Sequence, residues 1–82
     1  MDLYAAYLGG RLEAGRVGEG HEVVHVVADS VADAKAKARA KWGGAGRGHV
    51  DAVQRLDRID GFTITLHDSG APGDLTELTD EN

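Results

Sequence analysis

The fold is decided by residues 30–44, which have the sequence SVADAKAKARAKWGG. Ser30 is a favourable N-cap, Asp33 follows three positions later in a variant of the capping box, and alanine then alternates with basic residues. Gly43 and Gly44 favour the end of the helix. At about 100° per residue, the helix has one apolar stripe, which we expect to face a sheet. The stripe consists of Val31, Ala34, Ala38 and Trp42.

Four segments have the composition of strands, two before the helix and two after it. The first is apolar and stops at Gly9-Gly10, the second is rich in valine, and the third has an irregular alternation that suggests a β-bulge. Between the last two, Asp60-Gly61 predicts a two-residue type I′ hairpin turn. The four segments are residues 3–8, 21–28, 49–59 and 62–67.

The predicted fold class is therefore α+β. We expect a two-layer ββαββ unit in which one helix packs on one face of a four-stranded, mostly antiparallel sheet, similar to a β-grasp or roll. The chain of 82 residues is long enough for one hydrophobic core, so a single domain over residues 1–67 is expected.

The remaining residues, 68–82, are expected to form a disordered acidic tail. All nine basic residues lie in residues 1–67 together with nine of the 14 acidic ones, so the body is neutral and the net charge of -5 belongs to the tail. Leu75 and Leu78 are its only large apolar residues, too few to offset the entropy of ordering it.

Composition excludes several classes of protein. Without cysteine the chain has no disulfide, thiolate nucleophile or Cys-based metal site. No apolar run approaches the ~18 residues of a membrane span, and no secretory signal is visible, so we expect a cytoplasmic protein that does not bind membranes.

Three motifs that suggest chemistry have simpler interpretations. The glycine-rich residues 43–48 follow a helix C-terminus, whereas phosphate loops precede a helix N-terminus, so we interpret them as a flexible connector. The bases of the helix are spread around it, which argues against nucleic-acid binding. The only serines are Ser30, the predicted cap, and Ser69, in the tail. We therefore predict no catalytic residue and no cofactor, and no enzymatic activity is expected.

The remaining polar constellation lies where the second and third strands begin. His21 and Glu22 open one, and His49 and Asp51, on one face by alternation, open the other. If these four side chains converge, they could bind a divalent metal or a small ligand, although neither pair has the spacing of a metal motif. The alternative is that all four are exposed residues at strand starts.

Five short motifs in a fixed order resemble a bacterial family known as domain of unknown function 1543, over residues 3–67. That family has no established activity, and its chains carry one or two copies of the unit. This sequence departs from the pattern at Gly44 and near Val53, where aromatic residues are frequent, and it has a single copy. The motifs are Leu8-Gly9-Gly10, His21-Glu22, Trp42-Gly43, His49-Val50-Asp51 and Asp60-Gly61.

The first functional hypothesis is a non-enzymatic interaction or regulatory module; the alternative is a metal- or small-ligand-binding domain that uses His21, Glu22, His49 and Asp51. We identify no protein partner, but we expect a homodimer, because a body of this size is only marginally stable and its sheet has two unpaired edges. The two-copy chains of the family imply the same arrangement. Interface candidates are the aromatic residues Tyr4, Tyr7 and Trp42.

Overall fold

The computed structural model describes residues 1–12 and 18–74. Three long antiparallel strands form one sheet in the order β2-β1-β3, with the first strand in the centre, and two short strands pair in a separate hairpin. The α+β class and the antiparallel pairing are confirmed. The elements are β1 (Asp2–Arg11), β2 (Glu19–Ala28), α1 (Val31–Ala40), β3 (Ala45–Arg55), β4 (Arg58–Ile59) and β5 (Phe62–Thr63).

The prediction of a four-stranded sheet is wrong. Strand β3 ends at Arg55, and the next residue, Leu56, donates its N–H to the carbonyl of Leu3, close to the first residue of β1. Only Asp2 of β1 lies beyond that point, so β1 offers almost nothing more to pair with, and β4 and β5 pair with each other. Phe62 is consequently 74% exposed. The type I′ turn itself is confirmed, with φ of 54° at Asp60 and 83° at Gly61.

Helix α1 packs on one face of the sheet and forms the core with it. The buried cluster contains alternate residues of β1 and β2 and one side of the helix, and valines of β2 and β3 pack around it. Four of its seven members are alanines, and Leu8 is its one large side chain below 2% exposure. The members are Tyr4, Ala6, Leu8, Val26, Ala28, Ala34 and Ala38.

The helix begins as predicted but differs from the prediction at its edges. The Ser30 hydroxyl accepts a hydrogen bond from the Asp33 N–H at 3.1 Å, and the Asp33 carboxylate accepts one from the N–H of Asp29 at 3.3 Å. The alanines of the predicted stripe are fully buried. Val31, the first residue of α1, is instead 51% exposed and does not join the buried core. Helix α1 ends at Ala40, before Trp42.

Replacing Ser30 with alanine is expected to lower the free energy of unfolding by about 1 kcal/mol, because the Asp33 N–H loses its acceptor at the helix N-terminus. Urea denaturation followed by circular dichroism measures the change. Ser69→Ala is the matched control, since the Ser69 hydroxyl bonds only within its own turn, to Ala71. Equal losses in the two variants would contradict the role of Ser30.

The predicted acidic tail lies partly beyond the described residues, which end at Asp74. Within them, the Asp74 carboxylate lies 2.9 Å from the ammonium of Lys41, just after α1. Residues 75–82, which hold most of the tail, lie outside the described part of the chain. In residues 1–12 and 18–74, no helix has the length and apolar character needed to cross a membrane.

Candidate functional site

Three of the four candidate site residues meet over Gly9 of the central strand. Gly9 is the register partner of His21 on β2 and of His49 on β3. A methyl group placed on Gly9 would lie 2.9 Å from Nε2 of His49, 3.1 Å from Oδ2 of Asp51 and 3.2 Å from Cδ2 of His21. Two imidazoles and a carboxylate therefore surround one position that the glycine leaves free. We call this group the Gly9 cluster: Gly9, His21, His49 and Asp51.

Glu22 does not belong to the Gly9 cluster. Successive residues of a strand point to opposite faces, and Glu22 is the register partner of the buried Leu8, so its side chain lies on the helix face. Its Oε1 accepts a hydrogen bond from the Gly43 N–H at 2.9 Å. Glu22 thereby binds the backbone just after the helix, and the expectation that it shares a site with His21 is wrong.

A β-bulge aims Asp51 at the Gly9 cluster. The register of β1 with β3 shifts between Tyr7 and Leu8, which pair with Ala52 and Val50, so Asp51 is the extra residue. This is the bulge that the irregular alternation suggested. The Asp51 Oδ1 lies 3.1 Å from Nε2 of His49, and both side chains are about half exposed. Within residues 1–12 and 18–74, no three His, Asp or Glu side chains stand ready to hold a metal ion.

Comparison with protein families identifies the chain. The family model described as Domain of Unknown Function (DUF1543) matches residues 16–66, which is more than half of the chain. The chain belongs to the DUF1543 family. The matched segment includes β2, α1 and β3 and therefore His21, His49 and Asp51, whereas Gly9 precedes it. No curated protein and no solved structure matches this DUF1543 chain.

Sequence reasoning missed the role of the glycines around Trp42 in this DUF1543 domain. The indole lies on backbone where side chains are absent: a methyl group would lie 2.8 Å from Cζ2 of the indole at Gly10, 2.7 Å from Cγ at Gly48, and closer still at Gly44. The indole N–H donates to the carbonyl of Ala45 at 3.3 Å. We call Gly10, Gly44 and Gly48 the glycine cradle.

Two sequence predictions about the glycine-rich segments are wrong. Strand β1 continues through Gly9-Gly10 to Arg11 instead of stopping there, and β3 begins at Ala45, inside the segment that we interpreted as a flexible connector. The glycines are present because Trp42 fills the space above them, so they are part of the packing. A lone tryptophan directly followed by several glycines was the available signal, and it pointed to close packing as much as to a turn.

Two lysines near the end of the helix donate hydrogen bonds to backbone carbonyls on the outer edge of β2. The Lys37 ammonium donates to the carbonyl of Val27 and that of Lys41 to the carbonyl of His25, both at 2.7 Å. Edge strands expose such carbonyls to pairing with other chains, and lysine is a frequent protection against it. The sequence alone suggested few charges at the sheet edges, because these bases are distant in sequence from β2.

Among residues 1–12 and 18–74, α1 is the only helix or strand that packs on the three-stranded sheet; we call the sheet face opposite α1 the open face. The predicted interface aromatics lie differently with respect to it: Tyr4 is 4% exposed in the core, Trp42 is partly buried on the cradle, and Tyr7 is 40% exposed on the open face. The open face consists of Leu3, Ala5, Tyr7 and Gly9 with their register partners Val27, His25, Val23, His21, Gln54, Ala52 and His49.

Proposed function

We propose that this DUF1543 domain is a non-enzymatic interaction module and that the open face is its binding surface. The observation that carries the proposal is the exposure of three large apolar side chains on this face, one on β1 and two on β2. Tyr7 is 40%, Val23 52% and Val27 37% exposed, and Tyr7 and Val23 are directly opposite each other on neighbouring strands. Apolar side chains exposed near one another on one face are typical of interaction sites.

The partner that best fits the open face is a second copy of this chain. In the described residues, four of the seven members of the buried cluster are alanines, and such a core provides little hydrophobic stabilisation, because alanines bury small areas. Small domains with such cores gain stability when they associate. A homodimer in which two open faces pack on each other would bury the apolar residues of both sheets, as in a β-sandwich.

The dimensions of the open face are compatible with this dimer. Three strands of ten or eleven residues cover roughly 500 Å² at the usual spacings of a sheet. Two such faces bury roughly 1,000 Å² in total, which is at the lower limit of specific interfaces. Pairing through the edge of β2 is disfavoured because Lys37 and Lys41 already occupy two of its carbonyls.

We expect the wild-type protein to have the mass of a dimer and Val23→Glu to have the mass of a monomer. A carboxylate at this position would be buried without a partner in the dimer, whereas in the monomer it would be solvated. Size exclusion with light scattering, from about 1 to 100 µM, covers the range in which weak dimers dissociate. Circular dichroism confirms that each variant is folded.

Phe62→Glu is the matched control, since Phe62 is 74% exposed but lies on the separate β4-β5 hairpin. It should remain dimeric. A wild-type protein that is monomeric at every concentration, or a Val23→Glu variant that dimerises as tightly as Phe62→Glu, would contradict the proposed surface.

The second candidate function is the binding of a metal ion or small ligand. The observation that favours it is the Gly9 cluster, in which His21, His49 and Asp51 face one position. Glu22 is not part of this site, because its side chain lies on the helix face. Gly9 is part of it, because its missing side chain provides the space. The site lies towards one end of the open face, two residues along β2 from Val23.

A further inference from the structure

We infer that the Gly9 cluster is a binding site for one divalent transition-metal ion, such as Zn²⁺, with His21, His49 and Asp51 as its three protein ligands. This inference rests on the second candidate function, and it does not require self-association, although the Gly9 cluster lies at one end of the open face. All three ligands belong to one chain and come from two strands, β2 and β3, that flank the same residue of β1.

The donor atoms of two ligands are already in place. Nε2 of His49 and Oδ2 of Asp51 lie 2.9 and 3.1 Å from the position of a methyl group on Gly9, and Nε2 lies 3.1 Å from the other carboxylate oxygen. Ligand atoms about 2.0–2.2 Å from a tetrahedral zinc ion are roughly 3.4 Å apart. The 3.1 Å between Nε2 of His49 and Oδ1 of Asp51 is therefore close to the separation of two ligands of one metal ion.

The third ligand requires only a rotation of its ring. His21 presents Cδ2 to the cluster at 3.2 Å, and a half-turn about the Cβ–Cγ bond exchanges Cδ2 with Nδ1. The side-chain torsion of histidine at this bond has broad minima, and His21 is exposed, so the rotation meets solvent and little protein. Because His21 presents a carbon and no nitrogen to the cluster before this rotation, the three side chains do not form a three-ligand group in the present orientation.

Gly9 and the bulge together bring three polar side chains to one position. Gly9 has no positive φ, so no turn requires a glycine there, and the side chains over it are those of His21, His49 and Asp51. The bulge interrupts β3 and adds Asp51 on the same face. Glycine in a strand interior is unfavourable and marks close approach of a ligand or another group. Bulges are similarly frequent beside binding sites, where they redirect a side chain.

The ligand set identifies the class of ion. Two imidazoles and one carboxylate favour zinc, nickel, copper or iron(II) over calcium and magnesium, which prefer oxygen ligands. Three protein ligands leave at least one coordination position for water or another molecule. The Gly9 cluster therefore binds a metal ion that is partly open to solvent.

The test is calorimetric titration of Zn²⁺ and Ni²⁺ into the full chain without an affinity tag. Wild type is expected to bind one ion with a Kd in the micromolar range or below, and His21→Ala and His49→Ala are each expected to weaken binding at least about tenfold. Gly9→Ala should weaken it as well, because the added methyl group lies 2.9 Å from Nε2 of His49 and 3.1 Å from Oδ2 of Asp51 and crowds the space between the ligands. Circular dichroism shows whether that variant is folded, and the exposed histidine variants test the site if it is not.

Two matched controls distinguish the site from general surface binding. His25 is an exposed histidine on the same face of β2, and Glu22 is the sequence neighbour of His21 on the opposite face, so His25→Ala and Glu22→Gln should bind like wild type. The monomeric Val23→Glu variant should also bind, since one chain supplies every ligand. Absent binding, equal binding by wild type and the His21→Ala/His49→Ala double variant, an equal loss in His25→Ala, or loss of binding in Val23→Glu would overturn the inference.

Discussion

Trp42→Ala is expected to lower the free energy of unfolding by about 3 kcal/mol, at the low end for a large aromatic residue because the indole is only partly buried. The loss has two sources: the indole leaves the glycine cradle empty, and the carbonyl of Ala45 loses its donor. A domain of this length has a total stability of roughly 4–12 kcal/mol, so the variant is expected to be close to unfolding.

Urea denaturation followed by circular dichroism measures this loss without depending on tryptophan fluorescence. All proteins are compared at one concentration, since the stability of a dimer varies with concentration. Phe62→Ala removes an aromatic ring that is 74% exposed and is expected to cost less than about 0.5 kcal/mol. If Trp42→Ala costs no more than Phe62→Ala, the indole does not support the fold.

A double-mutant cycle tests the glycine cradle directly. Gly48→Ala places a methyl group 2.7–2.8 Å from the indole, so it should destabilise the wild type. In the Trp42→Ala background the same change has free space and should be neutral or slightly stabilising, because alanine is favoured over glycine within a strand. A coupling energy of about 1–3 kcal/mol is expected, and additive effects of the two changes would contradict direct packing.

Leu8→Ala is the second change with a large expected effect, about 3 kcal/mol. Leu8 is 1% exposed and is the only large side chain fully buried between the sheet and the helix. The neighbouring core residues are mostly alanines, which have no side-chain freedom with which to fill the cavity. The loss is measured by urea denaturation in the same way.

Leu66→Ala provides the control for the same chemical change at an exposed position, since Leu66 is 43% exposed after the hairpin. We expect a loss below about 1 kcal/mol there. Comparable losses in Leu8→Ala and Leu66→Ala would show that the core does not lie between β1 and α1 as described.

The sequence predicted part of the candidate site. His21, His49 and Asp51 were identifiable because histidines with neighbouring acidic residues stand at the starts of two predicted strands. Their convergence depends on β1 lying between β2 and β3, and strand order is a property of long-range pairing that no local segment encodes. Glu22 was grouped with them on sequence proximity, although alternation alone places it on the opposite face from His21.

Two further properties depended on partners distant in the chain. Residues 49–59 and 62–67 were each interpreted as one strand, but the length of a strand depends on where its neighbour ends, and β1 begins at Asp2. Likewise, Lys37 and Lys41 resembled ordinary exposed helix residues until the packing of α1 placed their ammonium groups on the carbonyls of β2.

The sequence by itself determined the features that arise from residues close together in the chain. These are the Ser30 cap, the type I′ turn at Asp60-Gly61, the α+β class and the membership of the DUF1543 family, and each depends on interactions within a few residues or on the order of short motifs. Only the tertiary structure decided why the glycines are there. Gly9 and Gly10 are adjacent in sequence, but one lies under two histidines and an aspartate and the other under Trp42, because opposite faces of one strand meet different neighbours.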